Sequence, residues 1–314
     1  TSFLASSILV TAVCGQATDT IQIHSVIPQQ ITNKIANQVE VYVSILNADG
    51  SPVKEITSDQ LQILEDGQSV EIDQMIVAPA IPLNLVLALD TSGSMMGNAI
   101  TQAKKAASEF ITSLSPEDSL ALIEFNHKVN IVTDFSIDHN DTLNRLKPID
   151  SIPNTGTCLY DALFQSVQLM SQSQPGRRAI MVLTDGKDEL LYGNPCSTAK
   201  VDDVINAAIT QNTPIYVIGL GNQVDQKALG RISLLTGGEY LYSPDPNRLT
   251  TLFSLIFDHL RYQYFLRYTS LSAPGVHSLS IKVILDKKSF QDSKDFITPE
   301  FIPVINISNP LSGS

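Results

Sequence analysis

Positive charge is scarce in this chain: 20 Lys and Arg stand against 32 Asp and Glu over 314 residues, a net charge of −12. That deficit argues against a nucleic-acid ligand and against an anionic membrane surface, both of which are held through basic side chains. It is compatible with binding divalent cations. Long apolar runs are missing as well, and no stretch reaches the roughly 20 residues of a transmembrane helix. The scattered His24, His127, His139, His259 and His277 show no zinc-ligand spacing. Cysteine is confined to Cys14, Cys158 and Cys196. What remains is a globular composition, 43% hydrophobic and 17% charged, long enough for one large domain and a smaller one.

Residues 1–17 (TSFLASSILVTAVCGQA) read as the remainder of a signal peptide: an apolar segment, then small residues, with Gly15-Gln16-Ala17 as the cleavage site. A buried first strand or helix is the alternative, and Val13 disfavours a lipoprotein reading at Cys14. Export is therefore the expected context, secreted or associated with the cell envelope. The mature chain would keep Cys158 and Cys196, a count that fits one disulfide or two free thiols equally well.

The organising stretch is 83–97, LNLVLALDTSGSMMG. Its apolar run suits a strand buried on both faces of a parallel sheet. The run stops at Asp90, and a helical pattern begins near Asn98. Asp90, Ser92 and Ser94 thus sit just past the carboxyl end of a buried strand, where open α/β sheets place their binding sites. An oxygen-only set of one carboxylate and two hydroxyls suits a hard divalent cation, with further oxygens supplied from elsewhere. The plain alternative is a Ser-rich loop with Asp as a helix cap. A pepsin-like protease is excluded, because Ser92 replaces the required Gly and no second Asp-Thr-Gly or Asp-Ser-Gly exists. An aspartyl-phosphate phosphatase would want Asp in place of Ser92. Gly93-Ser94-Met95-Met96-Gly97 also lacks nucleophile-elbow spacing.

Residues 18–80 alternate as strands, at 20–27, 39–46, 61–64 and 70–77. From 81 to 261 strands alternate with helices, which predicts a doubly wound, mostly parallel sheet. Its buried strands fall at 83–90, 119–126, 179–184 and 214–220, with edge strands near 129–135 and 239–242. Its helices fall at 98–114, 157–172, 198–211, 225–236 and 246–261. From 262 to 308 the pattern returns to β, at 264–269, 276–285 and 296–307, before a polar tail at 309–314. Neither flank can build a core alone, so the two are expected to pair, with the α/β domain inserted into a small antiparallel β-sandwich.

Two more loops carry suitable oxygens: Asn154-Thr155-Gly156-Thr157, and Thr184-Asp185-Gly186 after the strand 180–183. Each is weak alone, since Thr157 could simply cap a helix and Asp-Gly is common in turns. In order, Asp90-x-Ser92-x-Ser94, Gly156-Thr157-x-x-x-Asp161-Ala162 and Leu183-Thr184-Asp185-Gly186 resemble the von Willebrand factor type A domain. The resemblance covers about residues 81–261 and implies a metal-ion-dependent adhesion site. Ser92, Ser94 and Thr157 would offer hydroxyls, and Asp90 and Asp185 carboxylates, to Mg²⁺, with Mn²⁺ or Ca²⁺ as alternatives. It further implies a metal position completed by a Glu or Asp of a protein partner. Asp49-Gly50-Ser51-Pro52-Val53, Leu61-x-Ile63-x-Glu65-Asp66-Gly67 and 264–269 with Pro274-Gly275 resemble the flanks of exported bacterial members. By analogy with integrins, the helix at 246–261 would couple the metal loops to the sandwich.

Cys158 follows Thr157 directly and Cys196 lies in the loop after Asp185, so a disulfide between them would tie two ligand loops together. Lys187, Asp188 and Glu189 would face either the ligand or solvent. The expected function is an exported, monomeric adhesion module without catalysis. Two alternatives stand beside it: a metal-dependent hydrolase with His127 as the base, and an envelope protein whose metal only stiffens the fold.

Overall fold

The computed structural model describes residues 19–31, 36–77, 81–174, 176–285 and 288–300. The signal-peptide reading of 1–17 and the tail at 309–314 lie outside the described residues. The chain begins with β1 (Thr20–Gln30), β2 (Asn37–Leu46), β3 (Leu61–Glu65), β4 (Gln68–Val70) and β5 (Gln74–Val77). It then alternates through β6 (Leu83–Asp90), α1 (Asn98–Ser113), β7 (Ser119–Phe125), β8 (Val129–Ser136), α2 (His139–Leu146) and α3 (Leu159–Met170). The alternation continues with β9 (Arg177–Thr184), α4 (Val201–Thr210), β10 (Ile215–Leu220), α5 (Gln226–Thr236), β11 (Tyr240–Ser243) and α6 (Leu249–Arg261). The last three strands are β12 (Tyr264–Ser270), β13 (Gly275–Leu285) and β14 (Lys288–Thr298).

The central six-stranded sheet has the order β11-β10-β9-β6-β7-β8. All its pairings are parallel except β7 with β8. This is the doubly wound sheet that the apolar runs predict. Every residue of β6 is buried. Leu85, Leu87 and Leu89 pack on one face with α1 and α6, through residues such as Ala103, Phe110, Phe253 and Ile256. Val86 and Ala88 pack on the other face with Leu163, Val167, Val204, Ile205, Leu229 and Ile232 from α3, α4 and α5. A strand covered on both sides has no polar face to show, which is why the sequence between Asn84 and Asp90 is entirely apolar.

The flanks form two four-stranded sheets, β1-β2-β12-β5 and β14-β13-β3-β4, around a shared core that includes Val41, Ile63, Leu266 and Ile281. Both sheets mix strands from before and after the α/β unit: β12 lies between β2 and β5, and β13 pairs with β3. The chain leaves this sandwich at Val77 and re-enters at Tyr264, and those two residues are register partners.

Some elements differ from the sequence pattern. The single strand read over 70–77 is two, β4 and β5, in different sheets. The strand read at 296–307 is β14, which starts at Lys288, and residues 301–307 lie outside the described residues. The helix read from 157 starts at Leu159, because Thr157 forms an isolated antiparallel bridge with Glu189. Helix α2 has no counterpart in the sequence reading. It is short and polar, with Asp138 capping its start through the Asp141 amide at 3.1 Å.

The sandwich meets the amino ends of the central strands. The buried Arg177 at the start of β9 donates to the Ile81 carbonyl at 2.9 Å and the Leu260 carbonyl at 2.6 Å. His24 of β1 contacts the Gly237 carbonyl at 2.5 Å, and Gln22 donates to the Gly238 carbonyl at 2.8 Å. Gly237 ends α5 in the left-handed region at φ 83°, and a Cβ there would run into the His24 carbonyl. The carboxyl ends of β6 and β9 lie at the other end of the sheet.

Candidate metal centre

The loop after β6 is pinned before it offers any side chain to a ligand. The buried Thr91 donates its amide to the Phe125 carbonyl at 2.7 Å, and its carbonyl accepts from the Ile152 amide at 2.9 Å. Asn126, just past β7, donates to the Thr91 hydroxyl at 3.0 Å, and its carbonyl accepts the Cys158 amide at 2.7 Å. Ser92 starts a 3-10 turn, Gly93–Met95, whose Met95 side chain is fully buried in the core. Thr91 and Asn126 thereby tie three loops to one another. Neither was singled out from sequence, and a polar residue at the carboxyl end of a buried strand was the available signal.

Asp90 is completely buried. Its Oδ1 accepts the Ser92 amide at 2.8 Å and its Oδ2 accepts the Thr184 hydroxyl at 2.6 Å. Asp185, one residue past β9, accepts the Ser94 hydroxyl at 2.7 Å, and the Ser92 and Ser94 hydroxyls are 3.1 Å apart. Thr157 is buried, and its Oγ1 lies 3.1 Å from where a Cβ on Gly186 would be. Side-chain oxygens of Asp90, Ser92, Ser94, Thr157 and Asp185 are therefore brought together from three loops. Thr184, quoted in the motif but given no role there, orients Asp90.

The electrostatics of this cluster are unfavourable as it stands. Burial, then the charge of Asp185, push the Asp90 carboxyl up to about 7, against the pull of its hydrogen bonds with Ser92 and Thr184. Asp185 is likewise raised by burial, opposed by the Ser94 hydrogen bond. Two carboxylates near enough for one to raise the other, with hydroxyls around them, lack a counter-charge. Among the described residues no group of three or more His, Cys, Asp and Glu forms a metal cradle. The donor set is instead two carboxylates and three hydroxyls, which fits a hard divalent cation that keeps some of its waters.

A cleft of about 430 Å³ is lined by Ser94, Thr157 and Asp185 of this set together with Met96, Lys187 and Glu189 among others, while the buried Asp90 and Ser92 lie beneath it and do not line it. Asp188 turns inward, accepting the Tyr160 amide at 3.2 Å, the Ser197 amide at 3.0 Å and the Ser197 hydroxyl. Asp161 of the sequence motif also acts within the scaffold, accepting the Thr198 and Ala199 amides at 3.1 and 2.8 Å. Cys158 and Cys196 form a disulfide, with Cα atoms 4.8 Å apart, that joins the Thr157 loop to the loop after Asp185. His127 is exposed on the turn after β7 and does not line the cleft.

Comparison with known proteins gives a consistent family. The model of the von Willebrand factor type A domain matches residues 84–255. An uncharacterized protein of Synechocystis is 28% identical over 186 residues, covering 57% of this chain and 42% of that protein. The chain thus spans less than half of this curated relative. Among solved structures, a von Willebrand factor type A protein from Catenulispora acidiphila aligns over 88% of this chain and 74% of its own, with a TM-score of 0.51 and 11% identity. Proximal thread matrix protein 1 from the mussel byssus, solved with a zinc-occupied metal-ion-dependent adhesion motif, aligns over 62% of this chain and 50% of its own, with a TM-score of 0.53 and 14% identity.

Proposed function

The chain belongs to the von Willebrand factor type A domain family, and from that premise we propose that it is a protein-binding module that works through a divalent cation. Asp90, Ser92, Ser94, Thr157 and Asp185 would hold the ion. Once bound, a divalent cation supplies a coordination position for a Glu or Asp side chain of a protein partner. The chain's own residues do the rest. Thr184 and the Ser92 amide fix the Asp90 carboxylate. Ser94 orients Asp185, and the disulfide holds the second and third loops together.

The observation that carries this reading is Asp90, a fully buried carboxylate set against a second carboxylate. Such a pair is costly unless a cation compensates it. The zinc named for the mussel protein supports a divalent ion at this fold position. The all-oxygen donor set favours Mg²⁺ for this chain. The disulfide supports an oxidising, extracytoplasmic setting. The base read from the sequence for a hydrolase, His127, stands outside the cleft.

Short displayed peptides carrying one fixed Asp, panned on the immobilised chain in Mg²⁺, test the reading. Retained peptides should be released by EDTA, lost when the fixed Asp is exchanged for Asn, and not captured by an Asp90→Asn variant. Retention unchanged in EDTA, or equal capture by the variant, contradicts it.

A further inference from the structure

The rim of the cleft is apolar to a degree that cation binding does not require. Met96, Leu190, Leu191 and Tyr192 line it, and they are 55%, 41%, 46% and 99% exposed. Ile152, on the loop between them, is 47% exposed. Scattered exposed apolar side chains need no explanation, but a group concentrated on a single cleft does.

The segment bearing three of these residues is firmly built. Thr157 donates its amide to the Glu189 carbonyl at 2.9 Å, Leu190 donates to the Asn194 carbonyl at 2.7 Å, and Gly193 donates to the Leu190 carbonyl at 3.1 Å. Asp188, before this turn, bonds to Ser197 after it, and Cys196, also after it, is held by the disulfide. At the tip, Tyr192 and Gly193 are both left-handed, with φ of 77° and 81°. That conformation is costly for a bulky aromatic residue. The scaffold therefore holds a fully exposed tyrosine in a strained backbone beside two exposed leucines. A rigid aromatic next to aliphatic anchors is what interface hot spots are made of.

We propose that the partner's acidic residue sits within an apolar stretch, and that Met96, Leu190, Leu191 and Tyr192 grip the side chains flanking it while the cleft takes the carboxylate. The proposal rests on the cation-dependent reading above. Continuity with that site selects the occupant: the apolar rim and three of the oxygen donors, Ser94, Thr157 and Asp185, open on the same cleft, with Lys187 lining it as well. An extended peptide segment of a protein partner, with Asp or Glu between apolar residues, satisfies both surfaces. The net charge of −12 disfavours an anionic lipid surface as the occupant.

The experiment sequences the pool selected from peptides with a fixed Asp and randomised flanks, in Mg²⁺, on the wild type and on a Leu191→Ser, Tyr192→Ser double variant. The wild type should enrich Leu, Ile, Met and Phe beside the Asp. The double variant should bind Mn²⁺ as the wild type does, lose that bias, and bind the best wild-type peptide about tenfold more weakly or worse, a hot-spot effect of about 1.4 kcal/mol. Selection that depends on Asp and Mg²⁺ but shows no flank preference, or a preference that survives the double variant, overturns the apolar rim alone. Apolar enrichment that persists in EDTA and with Asn in place of Asp overturns the cation reading and the acidic anchor with it. Two further arms test other occupants. Self-association in Mg²⁺, or binding to phosphatidylcholine–phosphatidylserine vesicles, that the double variant abolishes would assign the rim to a second copy or to lipid, and would overturn the proposal.

Discussion

Gly156 shows how little space the ligand loops leave one another. A Cβ at this position would collide with the Glu189 carbonyl oxygen and lie 2.7 Å from the Leu190 Cα, both of them backbone atoms that cannot rotate away. Gly156→Ala should therefore destabilise the fold by about 1–3 kcal/mol, as overpacking does, and should weaken Mn²⁺ binding by displacing Thr157. Thermal unfolding in EDTA and a Mn²⁺ titration read the two effects. An unchanged melting temperature would show that the loops slide past each other without cost. Asp90→Asn behaves differently, because it keeps the shape and, with Oδ1 on the Ser92 amide and Nδ2 donating to the Thr184 hydroxyl, reverses the second hydrogen bond rather than losing it, while removing a buried charge. In EDTA it should unfold at or above the wild-type temperature, and a clear drop in scanning calorimetry would mean that Asp90 serves packing rather than a ligand. At this scale the grouping of the five oxygens proposed as donors was legible, because Asp90 ends an apolar strand, Ser92 and Ser94 follow it, and Thr157 and Asp185 come next in family order. Thr184, Thr91 and Asn126 were not, since each acts by a hydrogen bond between segments whose adjacency exists only in the folded chain.

Helix α6 is fastened by a histidine with two acceptors. His259 Nδ1 lies 2.6 Å from Glu239 Oε2 and Nε2 lies 2.9 Å from the Gly50 carbonyl. Both contacts can be hydrogen bonds only when both ring nitrogens carry protons, so the geometry calls for imidazolium. Burial opposes the charge, but the Glu239 hydrogen bond and charge, the Gly50 carbonyl and the charge of Asp258 outweigh it and raise the pKa above 6.5. The contribution to stability is thus complete below pH 6.5 and fades as pH rises through the higher folded value. His24 runs the other way: burial lowers it to about 4, so it costs stability as pH falls below 6.5. A His259→Gln variant isolates the first effect. It should be about 1–3 kcal/mol less stable than wild type in acid, with the gap narrowing toward alkaline pH, as denaturant unfolding at several pH values would show. A gap independent of pH would mean that His259 is held neutral. Elements with strong periodicity, such as β6, α1 and α3, were legible in the sequence. Helix α2 was hidden because in HNDTLNRL only Thr142 and Leu146 are buried. The part of β14 before Phe296 was hidden because only Phe296 and Thr298 of its eleven residues are buried, and the break between β4 and β5 because the apolar alternation runs on while the strands change sheets.

At the scale of the whole molecule, the sandwich occupies the amino ends of the central strands and leaves the carboxyl ends open. Its legibility came from the β pattern returning after residue 262 and from each flank being too small to stand alone. What the pattern could not give is the polar junction of His24 and Gln22 with Gly237 and Gly238, nor the buried Arg177 that ties the entry to β6 at Ile81 to the end of α6 at Leu260, since a buried Arg with two carbonyl partners looks like any surface Arg in sequence. That junction leaves three loops at the far end to converge, and convergence around one divalent ion is the central claim. The most direct measurement is a Mn²⁺ titration followed by electron paramagnetic resonance on the wild type and on Asp185→Asn, with circular dichroism confirming the fold of both. The wild-type chain should hold one Mn²⁺ tightly, displaced by Mg²⁺, and the variant none. Equal binding by the two proteins, or no saturable binding by the wild type, would contradict it.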